Sequence, residues 1–221
     1  MIFRNWAASL PPEVEVFPVQ LPGRGSRLRE PPHTDLPALV SITIEALRPY
    51  FNRPFAFFGH SFGASLSFEL ARRLRLEGDT EPLHLFVSGR RAPHISESRP
   101  ITYNLPENEF IEELRRLNGT PAEVLEHPEL MQLVIPILRA DFQICETYNY
   151  SSDSPLNCPI TVFGGLQDDK VPREYLEAWR DHTTSDFNIA MLPGDHFFVH
   201  TNESLLTQML SRGLDKMIKD L

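Results

Sequence analysis

Residues 55–74 constrain the fold of this chain more than any other stretch. Phe55-Ala56-Phe57-Phe58 is a short apolar run with the composition of a buried strand. Ala64 to Leu74 has helical period and helical composition. Between them lies Gly59-His60-Ser61-Phe62-Gly63, a G-x-S-x-G. A strand, a sharp turn and a helix place the serine oxygen at the top of a sheet, beside a helix N-terminus. The turn is expected to be strained and crowded, with no room for a Cβ at either flanking glycine. Ser61 is thereby a candidate nucleophile toward acyl groups. The plain alternative is a Gly/Ser turn that packs helix on sheet and does nothing else.

The rest of the chain keeps the same rhythm. Strands are expected over 13–20, 83–88, 158–163 and 188–192. Helices are expected over 36–50 behind an Asp35 cap, from 64 to near Gly78, over 173–182, and over 204–221 with Ser204 as N-cap. Strands separated by helices imply an α/β fold, a mostly parallel sheet covered on both faces. The 221 residues suffice for one domain spanning 1–221. Only 106–150 breaks the rhythm, offering two helical runs and no strand. The second, Leu130 to Leu138, is apolar nearly all round and is expected to be buried. Placed between strands, residues 93–150 read as a helical lid inserted over a site, with Leu130, Val134 and Leu138 walling a substrate pocket. An extra core layer is the plainer alternative.

A serine hydroxyl needs a base to take its proton, and the base needs a carboxylate to orient it. The order expected for this turn is serine, acid, histidine. Of the eight histidines, His60 neighbours Ser61, but adjacent side chains on a tight turn point apart, so it reads as structural. His33, His84, His94 and His127 precede the late strands, and His182 ends a helix. His196 follows Pro193-Gly194-Asp195 just after a strand, with His200 four residues on. Those two could share a helix face and bind metal, but no third ligand is suitably spaced, so no metal is expected. After the preceding strand, Gly164-Gly165-Leu166-Gln167-Asp168-Asp169 offers two acids that periodicity does not separate. Either could instead cap the helix that begins near Pro172.

A net charge of −9 argues against a nucleic-acid partner. Arginine clusters at Arg24, Arg27 and Arg29, at Arg72, Arg73 and Arg75, and at Arg90 and Arg91 read as solvated surface or as a dock for an acidic protein. No stretch has the length of a membrane span, and the N-terminus lacks a signal-peptide pattern. Cys145 and Cys158 form no framework, so a cytoplasmic protein with reduced thiols is expected.

Several motifs together resemble the type II, or editing, thioesterases of polyketide and non-ribosomal peptide assembly lines, over nearly the whole chain. They are Leu21-Pro22-Gly23-Arg24-Gly25, the Ser61 turn through Ala64, Asn118-Gly119-Thr120-Pro121, Leu138-Arg139-Ala140-Asp141-Phe142, Gly164-Gly165-x-x-Asp168 and Gly194-Asp195-His196-Phe197-Phe198. The resemblance implies an α/β-hydrolase fold with a helical lid. It selects Asp168 over Asp169 and His196 over His200, giving Ser61, Asp168 and His196 as catalytic residues. It further implies hydrolysis of acyl groups held on the phosphopantetheine arm of acyl or peptidyl carrier proteins, without a cofactor. Family members open with a strand and an aromatic-Ala-Gly-Gly loop that supplies one oxyanion donor. Met1-Ile2-Phe3-Arg4-Asn5-Trp6 resembles the stretch just after that loop, so the first strand and that donor are expected to be missing, leaving the Phe62 backbone N–H. The rivals are a general esterase or cyclising thioesterase of the same fold, and a non-catalytic binding protein.

Overall fold

The computed structural model describes residues 2–96 and 100–221; residues 97–99, inside the expected insertion, lie outside the described residues. The described residues group into two compact units. One lies within Met1–Val19, Ile44–Ile95 and Ser152–Leu221; the other lies within Gln20–Thr43 and Ser96–Ser151.

The first unit holds a four-stranded sheet: β1 (Ala56–His60), β2 (His84–Ser88), β3 (Ile160–Gly165) and β4 (Phe187–Leu192), ordered as in the chain and parallel throughout. A parallel sheet needs cover on both faces. Phe58, Phe86, Phe163 and Leu192 point to one face. They pack there with Trp6, Phe198, Leu206 and Leu210. Trp6 comes from a 3₁₀ segment over Ile2–Ala8. The opposite face takes the helix after Ser61 and the helix after β3, which pack on β1, β2 and β3. Gly164, adjacent to Phe163 and so on that opposite face, leaves room for Leu176 and Met191; a Cβ there would come within 2.2 Å of Leu176.

In chain order the helices are α1 (Leu36–Leu47), α2 (Phe62–Glu77), α3 (Glu107–Leu117), α4 (Ala122–Leu125), α5 (Pro128–Thr147), α6 (Arg173–Glu177), α7 (Phe198–Thr201) and α8 (Glu203–Lys219). Asp35 caps α1 through Oδ2, which accepts the Ala38 N–H at 2.8 Å. Gly78, left-handed at φ +67°, closes α2 by donating to the carbonyls of Leu74 and Arg75. The helices expected over 36–50 and 173–182 tighten into 3₁₀ turns at Arg48–Tyr50 and Ala178–His182. No helix among the described residues is long and apolar enough to cross a membrane.

Three expectations fail. Residues 13–20 form no strand. Pro11, Pro12, Pro18 and Pro22 supply no N–H, and Phe17 and Val19 are exposed, so no buried face holds a register. Ser204 is not the cap of α8; Asn202 holds that position, without a side-chain cap bond. In α5, Leu130 and Leu133 are 42% and 53% exposed, so the run is not buried all round. Met131 and Ile135 are its buried residues, and with Leu138 and Phe142 they pack against Phe110 and Leu114 of α3. An i, i+4 stripe suffices for that contact, and Leu130 and Leu133 lie outside it.

Within the second unit α5 is tied to two loops. Arg24 forms a bidentate pair with Asp141, at 2.9 and 2.8 Å. Glu146 accepts the backbone N–H groups of Thr102 and Tyr103 at 2.8 and 3.0 Å, and Arg139 donates to the Tyr103 carbonyl while lying 4.4 Å over the Phe110 ring. Asn118, at φ +56°, ends α3 in the left-handed conformation that asparagine tolerates. Two of the motif stretches are thereby a helix cap and one half of an ion pair.

Candidate active site

Ser61 sits between the last residue of β1 and the first of α2 with φ +52° and ψ −116°. A non-glycine residue there costs on the order of 1–3 kcal/mol, a strain that clusters at functional sites. Hydrogen bonds hold it in place: its N–H donates to Ser88 O at 2.8 Å, and its carbonyl accepts the Ala64 N–H at 3.0 Å. The two flanking glycines differ. A Cβ on Gly59 would lie 2.1 Å from the Gly63 carbonyl oxygen, whereas one on Gly63 would meet nothing within 4 Å. The expected crowding at both positions therefore holds at Gly59 alone, because the turn folds the Gly63 backbone over Gly59 and leaves the other side of Gly63 open.

His196 follows β4 through Gly194, at φ +104°. Asp195 sets the loop: its Oδ1 accepts the Phe197 N–H at 2.9 Å and its carbonyl the Phe198 N–H at 3.1 Å. His196 Nε2 lies 3.0 Å from Ser61 Oγ, and His196 Nδ1 lies 2.7 Å from Asp168 Oδ2. Asp168 leaves β3 beyond Gly165. A Cβ on Gly165 would strike the carbonyls of Gly194 and Asp195 at 2.6 and 2.5 Å, so this glycine lets the acid and histidine loops touch.

The Asp168 side chain is 1% exposed. Its Oδ1 accepts the N–H groups of Lys170 and Val171 at 3.0 and 3.2 Å. Burial alone would raise its pKa, but the His196 hydrogen bond and charge, with the two backbone donors, outweigh burial and hold it below the ordinary carboxylate value. The carboxylate is thus kept ionised where it can fix the imidazole tautomer and stabilise an imidazolium. Asp169 is exposed on the acid loop, and His200 is exposed on α7.

Phe62 opens α2, so its N–H has no partner within the helix and stands beside Ser61. In the other unit, Leu130 is exposed, Val134 is half-buried, and Leu138 packs against the helical cluster. The arginine clusters are largely committed within the chain. Arg24 binds Asp141, Arg27 binds Glu30, Arg72 binds Glu69, Arg73 binds Glu77, and Arg75 binds Asp153. These charges answer nearby acids on the same chain.

Two features are not legible in the sequence. His60, structural by its place next to Ser61, lies against His196 with ring centroids 5.2 Å apart. His94 Nδ1 and His182 Nε2 are 2.7 Å apart, remote in sequence and without a motif to announce them. A strand register would flag the first, since His60 faces Ser88 directly across β1 and β2.

Comparison with known proteins identifies the family. The thioesterase domain family matches residues 1–215. The linear gramicidin dehydrogenase LgrE of Brevibacillus parabrevis is 47% identical over 98% of this chain and 84% of its own length. The gramicidin S biosynthesis protein GrsT of Aneurinibacillus migulanus is 47% identical over 96% of this chain and 83% of its own. Among solved structures, ClbQ from the colibactin NRPS/PKS pathway superposes with a TM-score of 0.93 at 30% identity, over 100% of this chain and 93% of its own. That identity is below the gramicidin proteins' 47%, so it ties the chain to no colibactin pathway. The family is set by the domain match rather than by any relative's name. The chain belongs to the thioesterase family, and its activity is that of a thioester hydrolase.

Proposed function

We propose that this thioesterase releases acyl groups from the phosphopantetheine thioesters of carrier proteins, clearing stalled or misprimed intermediates from a secondary-metabolite synthase. The observation that carries the mechanism is the hydrogen-bonded chain Ser61–His196–Asp168, at 3.0 and 2.7 Å. His196 Nε2 takes the Ser61 proton as Oγ attacks the thioester carbonyl. Asp168 holds Nδ1–H and stabilises the imidazolium. The Phe62 N–H, at the positive end of α2, donates to the oxyanion. Collapse expels the pantetheine thiolate, which takes the proton from His196, and leaves acyl-Ser61. Water, deprotonated by His196, then attacks the acyl-serine; collapse frees the carboxylic acid as His196 returns the proton to Ser61 Oγ.

The carrier-bound substrate is supported by the named roles of the relatives: GrsT in gramicidin S biosynthesis, and ClbQ in an NRPS/PKS pathway. Helices α3–α5 serve as the lid, with Leu130 and Val134 as the acyl-facing residues and Leu138 backing them. Uncovered apolar side chains on α5 support that role. A cytoplasmic workplace is part of the proposal, since Cys145 and Cys158 are joined in no disulfide among the described residues. The reading is tested by comparing hydrolysis of an acyl-carrier protein with that of a simple ester of the same acyl group. A higher kcat/KM on the carrier supports it; a preference for the simple ester makes the chain a general esterase.

A further inference from the structure

Besides Ser61 and Asp168, a further side chain lies against the histidine. His60 ends β1, and its partner across the sheet is Ser88 at the end of β2. His60 Nδ1 lies 2.9 Å from Ser88 Oγ, and Ser88 is fully buried. The His60 ring meets Phe198 edge-on, with centroids 5.5 Å apart, and lies tilted by 45° against the His196 ring. Gly89, at φ +58°, forms the floor of the arrangement. A Cβ there would reach within 2.7 Å of His60 Cε1 and 3.4 Å of His196 Cε1. The backbone therefore approaches both imidazoles where no side chain fits.

The chemistry of the ring suits this place. Burial pushes His60 down to about 3; the rings of His196 and His200 act the same way, against Asp168 and the His196 main chain. The ring is therefore neutral when His196 takes up the serine proton. A second cation at this distance would oppose that proton; a neutral ring does not. His60 Nε2 is buried without a hydrogen-bond partner among the described residues, so Ser88 is its anchor.

We propose that His60 is a positioning residue: anchored by Ser88 and seated on Gly89, it packs against His196 and holds that imidazole in line between Asp168 and Ser61. The proposal rests on reading His196 as the general base, so a His196→Ala control accompanies its test. His60→Ala, His60→Phe and Ser88→Ala are assayed on one acyl substrate, together with thermal melts. The low-field proton resonance of His196 Nδ1–H is recorded for each.

In His60→Ala, kcat falls by up to about 100-fold, the loss expected from an ångström-scale misplacement. KM is unchanged and the resonance broadens. His60→Phe keeps the ring without the anchor and recovers part of kcat. Ser88→Ala loses less than His60→Ala and adds nothing on top of His60→Phe, because both remove the same bond. Wild-type kcat and an unchanged resonance in His60→Ala overturn the proposal. So does a loss of kcat that only follows the fall in Tm while the resonance stays sharp. If His60→Ala does not fold, wild-type kcat and resonance in both His60→Phe and Ser88→Ala overturn it. Full activity in His196→Ala instead removes the base assignment beneath it.

Discussion

Gly59→Ala and Gly63→Ala should have opposite effects, although the two glycines stand symmetrically about Ser61. At Gly59 the new Cβ would lie 2.1 Å from the Gly63 oxygen, 2.3 Å from its carbonyl carbon and 2.5 Å from the Ala64 nitrogen. An unstrained contact needs about 3.5 Å, so the shortfall exceeds about 1 Å. All three atoms are backbone, so no side chain can rotate aside and the turn itself must open. Overpacking of this kind costs about 1–3 kcal/mol, or about 2–12 °C in Tm for a chain of this size. The same displacement carries Ser61 Oγ off its 3.0 Å contact with His196 Nε2, and kcat should fall by about 100-fold. At Gly63 the Cβ meets nothing within 4 Å, and the residue lies in the first turn of α2. Alanine there should add about 0.4–1 kcal/mol by restricting the unfolded chain, and leave kcat within a few-fold. Melts and steady-state kinetics of the two variants are the assay. Equal losses in both, or a harmless Gly59→Ala, would refute the geometry assigned to the turn.

Acid should weaken the fold in a defined window. Burial pushes His60, His84 and His182 from 6.5 down to about 3, about 4 and about 4. Their folded values lie below the unfolded ones, so the unfolded chain binds more protons as pH falls from 6.5 toward 4, and stability drops with it. Each group adds a slope of at most about 1.4 kcal/mol per pH unit, about 4 together, and Asp168 extends the loss below its ordinary value. Urea midpoints should be level between about pH 7 and 8 and decline below 6.5; a constant midpoint down to pH 5 would count against the buried neutral rings. The Arg24–Asp141 pair is partly exposed, so a double-mutant cycle should give a coupling near 1 kcal/mol. Arg24→Lys should not restore it, because an ammonium cannot make both bonds; full recovery by lysine would show that charge alone matters.

Legibility in the sequence depends on how local the cause is. The β1–Ser61–α2 unit is legible because its apolar run, its glycines and its helical period lie within about twenty residues of each other. The alternation that gives a parallel sheet is legible for the same reason. Residues 13–20 alternate convincingly, yet a strand exists only with a neighbour to pair with, and alternation says nothing about that. Leu130 and Leu133 read as core because apolar composition implies burial, but burial needs a second surface, and α3 supplies one to the stripe of Met131, Ile135, Leu138 and Phe142. The acid and base loops carry candidate residues in the right chain order. Periodicity leaves Asp168 and Asp169 open; the fold separates them, with one carboxylate buried against His196 and the other exposed. His60 is missed by a local rule: the sheet register carries it to Ser88, and its ring lies 5.2 Å, centroid to centroid, from that of His196.

The central claim is that Ser61 forms the acyl-enzyme with His196 as its base. The direct measurement is turnover of an acyl-carrier thioester by the wild-type chain and by Ser61→Ala, with intact-protein mass spectra taken before the steady state. The account predicts an acyl adduct on Ser61 in the wild type, none in Ser61→Ala, and a fall in kcat of about 10⁴-fold or more. Undiminished acid release by Ser61→Ala, or an adduct that persists without Ser61, would contradict it.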